Sequence, residues 1–351
     1  MFSSLPFSYM FLFVMGTGTL LSVSSIHWLS IWAGLEINLI GFLPMLIYQK
    51  SISESESAVK YFIVQALGSS FLMFGSLLAF NSSFSWNMHV LSYLGNVGLI
   101  MLMVGLCVKL GLFPFHYWLP SVMAGLPWMS CLLLATWQKF APLFLMLSLL
   151  DLNYVYMTIF MFSFMSMGSS LIGGFGGINQ TQVRALLAYS SIGHLGWMTF
   201  AALHSEWSLK VYFIIYIMIS VSVFLSLWLS DSGTMKNINN LKVSMFLQMS
   251  VMLLLLSLGG LPPLLGFIPK LMVIMISSSM PWLYVIMIMI LGSLMSLFYY
   301  LSLFFSFFLS TSKKQGFNSS KTDFNSLIVM INVFNLFGGV IVLTIGLMNV
   351  F

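Results

Sequence analysis

Six ionisable side chains lie where nearly every neighbour is apolar. Glu36 sits in Ile31-Trp32-Ala33-Gly34-Leu35-Glu36-Ile37-Asn38. Lys109 opens the run KLGLFPFHYWLP at 109–120, and His116 lies inside that run. Lys139 stands three residues before Pro142, Lys270 directly follows Pro269, and His194 is centred in SSIGHLGW at 190–197. Such groups are rare inside membrane segments and mark ion paths or proton relays. The chemistry open to carboxylate, amine and imidazole is proton capture and release. Burial disfavours a lysine's charged form and a nearby carboxylate favours it, so a carboxylate that approaches or retreats could load and unload a proton.

An unpaired carboxylate at the depth of Glu36 costs about 2.5–3.5 kcal/mol, so a partner is expected, and Lys109 is the candidate. The competing reading is a static ion pair that only fixes helix packing. For the lysines the competitor is snorkelling toward the interface. It is weak for Lys109 and Lys139 and stronger for Lys270. His116 and His194 are each as readily a hydrogen-bonded core histidine as a relay, and Ser190 or Ser191 could satisfy His194. Lys60 and Arg184 fall near span ends, where a structural or topogenic role leads; Lys60 stays on as a lesser site residue. His27, His89 and His204 fall in loops and receive no role. The histidines lack metal-ligand spacing, so neither metal nor haem is expected. Cys107 and Cys131 are too few for a four-cysteine cluster. No phosphate-binding or dinucleotide-binding glycine motif is present. The chain is therefore expected to hold no redox centre and to hydrolyse no nucleotide.

The elements that must position these residues follow from composition. Of 351 residues, 60% are hydrophobic and 5% charged, against about 25% charged in soluble domains. Apolar runs near the 20 residues a spanning helix needs recur throughout, and the alternation of a membrane barrel is absent. The expected fold is all-α and polytopic, with eleven spans: 7–23, 28–47, 58–80, 91–124, 128–150, 154–175, 185–203, 209–229, 243–276, 282–308 and 327–348. The stretches 48–57, 176–184 and 230–242 read as polar loops. The fourth and ninth spans are too long for one helix and short for two, and each is interrupted by glycine and proline, at 111–120 and 259–263. Both read as broken helices. With eleven spans, Lys50, Arg184, Lys236, Lys242, Lys313, Lys314 and Lys321 share the N-terminal side, and Lys210 is alone opposite. The positive-inside rule then places the N-terminus on the cytoplasmic or matrix side. One membrane domain is expected, with a first five-span unit over 1–150, a second over 151–309, and a loop and final helix over 310–351. An odd number of spans makes the units inverted, and matched broken helices in inverted repeats point to a midplane ion site.

Several motifs, taken together and in order, resemble the mitochondrial NADH dehydrogenase subunit 2 family. They are SIHWL at 25–29, GLEIN at 34–38, ESAVKYFIVQ at 56–65, KLGLFPFHYWLP at 109–120, TWQKFAP at 136–142, GGFGGINQTQVR at 173–184, AYSSIGHLGWM at 188–198 and LGGLPPLLGFIPK at 258–270. The resemblance implies an antiporter-like core subunit of respiratory complex I, NADH:ubiquinone oxidoreductase, in the mitochondrial inner membrane. The family translocates protons while NADH is oxidised and ubiquinone reduced in other subunits, where FMN, iron–sulfur clusters and ubiquinone are expected. It implies sibling membrane subunits as partners, with membrane lipids including cardiolipin, and no nucleic acid. The animal form resembles a fourteen-helix ancestor without three N-terminal helices. Carried onto this chain, the family's residues are Glu36 and Lys109 as the modulating pair, Lys139 centrally and Lys270 toward the exit, with Lys60 less critical. The N-terminus is expected in the matrix and the C-terminus in the intermembrane space. Two rivals remain: a freestanding cation/proton antiporter, which would exchange ions alone in vesicles, and a structural spacer of a membrane arm, which would tolerate loss of Glu36 and Lys139.

Overall fold

The computed structural model describes residues 7–47, 51–88, 96–152, 156–230, 245–278 and 282–314, with 333, 335, 336, 338 and 339. The expected final span at 327–348 lies almost wholly outside these, as do Lys50, His89, Lys236, Lys242 and Lys321. The described residues form thirteen α-helices and no strand, with a single bridge between His27 and Asn87.

The chain divides into two compact units, Met1–Met165 and Ser166–Phe351. The first holds α1 (Ser8–Ser24), α2 (Trp28–Leu46), α3 (Ile52–Ser83), α4 (Asn96–Leu110), α5 (Trp118–Gly125), α6 (Trp128–Ala135) and α7 (Trp137–Leu152). α8 (Tyr156–Gly177) runs into the second, which continues with α9 (Val183–His204), α10 (Glu206–Ser230), α11 (Met245–Gly259), α12 (Phe267–Ser277) and α13 (Leu283–Lys314). Among the described residues, six segments are long and apolar enough to cross a membrane: α2, α3, α6 with α7, α8, α10 and α13. α1, α4, α11 and α12 are shorter apolar helices.

Lipid gives no hydrophobic drive between helices, so close backbone approach at small residues must hold them together. In the first unit, a Cβ added at Gly18 would meet Asn38 N at 2.5 Å, and one at Gly34 would meet Ser22 N at 2.6 Å. This contact locks α1 on α2. Glycines seven apart do the same for α3 and α4. Gly68 faces Gly105 and Gly75 faces Gly98, with 2.9 Å from the Gly105 Cβ position to Gly68 O and 2.8 Å from that of Gly75 to Gly98 O. Gly68 also lies under the stem of Lys109, 2.9 Å from its Cγ to the added Cβ. In the second unit, Gly173 meets Gly193, and Gly196 meets Ser166 and Ser169, so α8 and α9 approach on small side chains.

Two element boundaries differ from the sequence reading. The third span was expected from residue 58, after a polar loop, but α3 starts at Ile52. Ser51 caps it by accepting the Glu54 N–H at 3.3 Å, with Glu54 in the first turn. Ser-x-x-Glu is a capping signal that apolar content does not register. The fifth span, expected over 128–150, is found as one apolar stretch over Trp128–Leu152, with a turn at Thr136 that the sequence did not suggest; the Thr136 hydroxyl and N–H both go to Leu132 O, at 2.7 and 3.0 Å. The second half restarts at Trp137, with Lys139 in its first turn, and Pro142 inside it leaves Gln138 O without the usual helical donor. Smaller shifts place His204 in the last turn of α9 and continue α13 to Lys314.

Candidate functional site

Both long anomalous segments are broken, and the two breaks have the same backbone. α4 ends at Leu110, and Gly111 takes φ +76°. Its N–H reaches Cys107 O at 2.9 Å and Val108 O at 3.2 Å, while Leu112 N–H reaches Cys107 O at 3.1 Å. α11 ends at Gly259, and Gly260 takes φ +84°. Its N–H reaches Leu256 O and Ser257 O, each at 3.1 Å, and Leu261 N–H reaches Leu256 O at 3.5 Å. This is the Schellman closure, which needs a residue of positive φ just past the helix and so selects glycine. Proline follows three residues after each of these glycines, at Pro114 and Pro263.

At the first break the remaining carbonyls are met by side chains. Trp118 Nε1 donates to Val108 O at 3.2 Å, and Gln65 Nε2 of α3 donates to Lys109 O at 3.2 Å. Lys109 occupies the last turn of α4, where a cation complements the helix dipole. Its ammonium lies 3.9 Å from Glu36 Oε1 of α2; the lysine side chain is 4% exposed and the glutamate 25%. That oxygen has no hydrogen-bond partner, so the contact is an ion pair without a tight hydrogen bond.

Lys109 shares a cavity of about 20 Å³ with Lys139, which is buried on α7. A single water needs roughly 10–15 Å³. Asn38, Tyr61, Gln65, Trp118 and Gln138 also line it. Asn38 and Gln138 bond each other twice, Nδ2 to Oε1 at 2.9 Å and Nε2 to Oδ1 at 3.2 Å. Tyr61 is packed between the rings of Phe42 and Trp118 and donates to Gln138 Oε1 at 3.4 Å. Nothing in the sequence reading singled out Asn38, Tyr61, Gln65 or Gln138. For Asn38 and Gln138 the available signal was polarity inside apolar spans, two residues from Glu36 and one from Lys139; Tyr61 and Gln65 carried only their own polarity in the third span.

In the second unit Lys270, in the first turn of α12, reaches back across the break and donates to Gly259 O at 2.9 Å. It lines a cavity of about 10 Å³ with His194, Ser190, Ser293, Ser296 and Tyr300. His194 Nδ1 lies 3.0 Å from the Tyr212 hydroxyl, and its ring is 5.2 Å from that of Tyr216. The Tyr212 hydroxyl on the next helix is thus a hydrogen-bond partner of this histidine. His116 is buried beside Tyr117, with ring centroids 4.1 Å apart, and is not among the residues lining the Lys109 cavity. Lys60 lies on the surface of α3, 3.9 Å from Glu56 one turn earlier, with side chains 54% and 66% exposed.

The sequence model of the family described as NADH:quinone oxidoreductase/Mrp antiporter, TM, matches residues 25–296. A protein of Anopheles gambiae named NADH-ubiquinone oxidoreductase chain 2 is 39% identical over 339 residues, covering 95% of this chain and 96% of the relative. One of the same name from Lumbricus terrestris is 41% identical over 291 residues, 82% of this chain and 83% of the relative. Among solved structures, a chain of respiratory complex I from Thermus thermophilus with bound aureothin superposes with a TM-score of 0.81 at 24% identity, covering 95% of this chain and 78% of that one.

Proposed function

The chain belongs to the NADH:quinone oxidoreductase/Mrp antiporter membrane family, and from that premise we propose that it is the chain 2 type of antiporter-like membrane subunit of mitochondrial complex I, moving protons across the inner membrane. The observation that carries the reading is the buried Lys109 ammonium, placed at a helix break, ion-paired with Glu36, and sharing a water-sized cavity with Lys139. A group held this way gains or loses a proton when its partner carboxylate shifts. Glu36 modulates Lys109, and Lys139 exchanges protons with the same cavity. In the second unit Lys270 holds a proton at the α11 end, with His194 and Tyr212 beside its cavity.

The remaining parts of the proposal rest on family membership and charge placement. Eleven spans form two inverted five-span repeats over 1–150 and 151–309, followed by a last helix. The N-terminus lies in the matrix and the C-terminus in the intermembrane space. Redox cofactors sit on sibling subunits, which supply the driving force through contacts in the membrane arm, with cardiolipin and other lipids at its surface. Lys109→Met tests the reading. In an assembled complex reconstituted into vesicles, the proton gradient formed per NADH oxidised should fall to background for this subunit's share. Normal coupled turnover by the assembled variant would sink the proposal and leave the structural spacer.

A further inference from the structure

Asn38, buried, and Gln138, half-buried, are two neutral amides bonded to each other twice across α2 and α7. Each stands beside a residue of the proposed proton path. Asn38 lies two residues after Glu36, and Gln138 directly precedes Lys139. Gln138 uses its whole hydrogen-bonding capacity. Its oxygen accepts from Asn38 and from Tyr61, and its nitrogen donates to Asn38 Oδ1 and to Met15 Sδ at 3.4 Å. An amide has two donor hydrogens and two acceptor sites, so no site on Gln138 is left for water. Four helices, α1, α2, α3 and α7, meet at this one side chain. Both amides line the cavity that Lys109 and Lys139 share.

An amide cannot pass a proton as water does. To relay one, it would have to accept at oxygen and release from nitrogen, leaving an imidic acid behind. With Gln138 saturated and tied to Asn38 in a cavity this small, the amide pair interrupts a water chain and does not extend it. We propose that the reciprocal Asn38–Gln138 pair is a latch that keeps the cavity shared by Lys109 and Lys139 too small for a continuous water chain between pumping events, and that it must part for such a chain to join the two lysines. Asn38 and Gln138 are positioning residues here. Their exchange of partners opens and closes the path, and neither carries the proton. The inference rests on the proton-path reading above.

The latch and the path fail differently. Losing a path residue stops pumping without creating a leak. Losing the latch leaves an open channel. The test uses the whole complex in proteoliposomes, with Gln138→Met, which keeps length and bulk but removes both amide bonds. Three quantities are read: NADH oxidation, protons moved per NADH, and passive proton leak under an imposed potassium diffusion potential without NADH. Losing about two net hydrogen bonds shifts a two-state equilibrium on the order of tenfold. The passive leak should rise on that order and protons per NADH should fall, with NADH oxidation sustained. Exchanging the residues, Asn38→Gln with Gln138→Asn, keeps the summed length of the pair and should reseal the leak. A Gln138→Met complex as tight as the parent overturns the latch, whether or not pumping survives. So does a leak that the exchanged pair fails to reduce, because a packing defect alone would behave that way. Loss of pumping in Lys109→Met, with its leak unchanged, reports separately on the path.

Discussion

The two helix breaks share one backbone solution and divide its side-chain work differently. Each closes α4 or α11 with a positive-φ glycine and the same pair of crossed hydrogen bonds. At the first break the exposed carbonyls of the last turn are met by neutral donors, Trp118 and Gln65. Lys109 is thereby released from capping, and its ammonium faces Glu36 instead. At the second break the lysine itself is the cap, through Lys270 Nζ to Gly259 O. A helix end carries partial negative charge on its carbonyls, so both lysines sit in favourable fields. Only Lys109 has a partner whose own charge and position can change. In the proposed path the first break suits modulation, and the second suits holding a cation at a fixed dipole.

The sharpest way to break this comparison is to remove both cations in turn and watch the backbone. Lys270→Met deletes a cation and orphans Gly259 O. Leaving a buried acceptor unsatisfied costs about 1–3 kcal/mol. Amide hydrogen exchange at 256–261 should accelerate on the order of tenfold or more. Lys109→Met leaves Gln65 and Trp118 in place, so exchange at 107–112 should stay within about twofold while pumping is lost. Equal loss of protection at the two breaks would show that Lys109 is also a structural cap, and the division of labour would be wrong.

Next in size are the two cap glycines. Forcing a Cβ into the left-handed region costs roughly 1–2 kcal/mol, so Gly111→Ala and Gly260→Ala should each lower the thermal stability of the assembled subunit by a similar amount. Their functional effects should separate. The new Cβ at 111 would meet the Leu119 side chain at 3.1 Å, whereas at 260 it would lie 3.0 Å from Lys270 Nζ. Proton pumping, corrected for assembled complex, should therefore suffer more in Gly260→Ala. The reverse order would place the sensitive cation at the first break only.

These contrasts bear on what was legible in the chain. The membrane class, the six ionisable residues and both broken spans follow from hydropathy and from glycine and proline placement, because lipid penalises charge and open backbone so heavily. Serine capping at Ser51 and the turn at Thr136 escaped, since the first depends on side-chain geometry outside the apolar run and the second on a threonine hydroxyl turned back onto Leu132 O. The glycine ladders at 68 with 75 and 98 with 105 show a seven-residue spacing in sequence. That they face one another in opposite order is a tertiary fact. The amide cluster was invisible for a related reason. Asn38 and Gln138 are 100 residues apart, and a lone buried amide reads as tolerated polarity until its partner is known. Likewise, the bond from His194 to Tyr212 joins neighbouring helices, and spacing within one span does not reveal it.

The smallest expected effect concerns Lys60, which has a glutamate at the same 3.9 Å as Lys109 but differs from it in burial. Its contact with Glu56 is one helical turn long, at 3.9 Å, and both side chains are more than half exposed. Exposed pairs of this kind contribute about 0.3–0.5 kcal/mol, and Lys60 lines neither lysine-bearing cavity. Lys60→Gln should leave pumping per NADH within about twofold of the parent, and assembly unchanged. If instead it stopped pumping as Lys109→Met should, the exposed face of α3 would have to be covered by a sibling subunit that brings a carboxylate or water to Lys60. The path would then run partly along that face, and burial within this chain would no longer separate working lysines from topogenic ones.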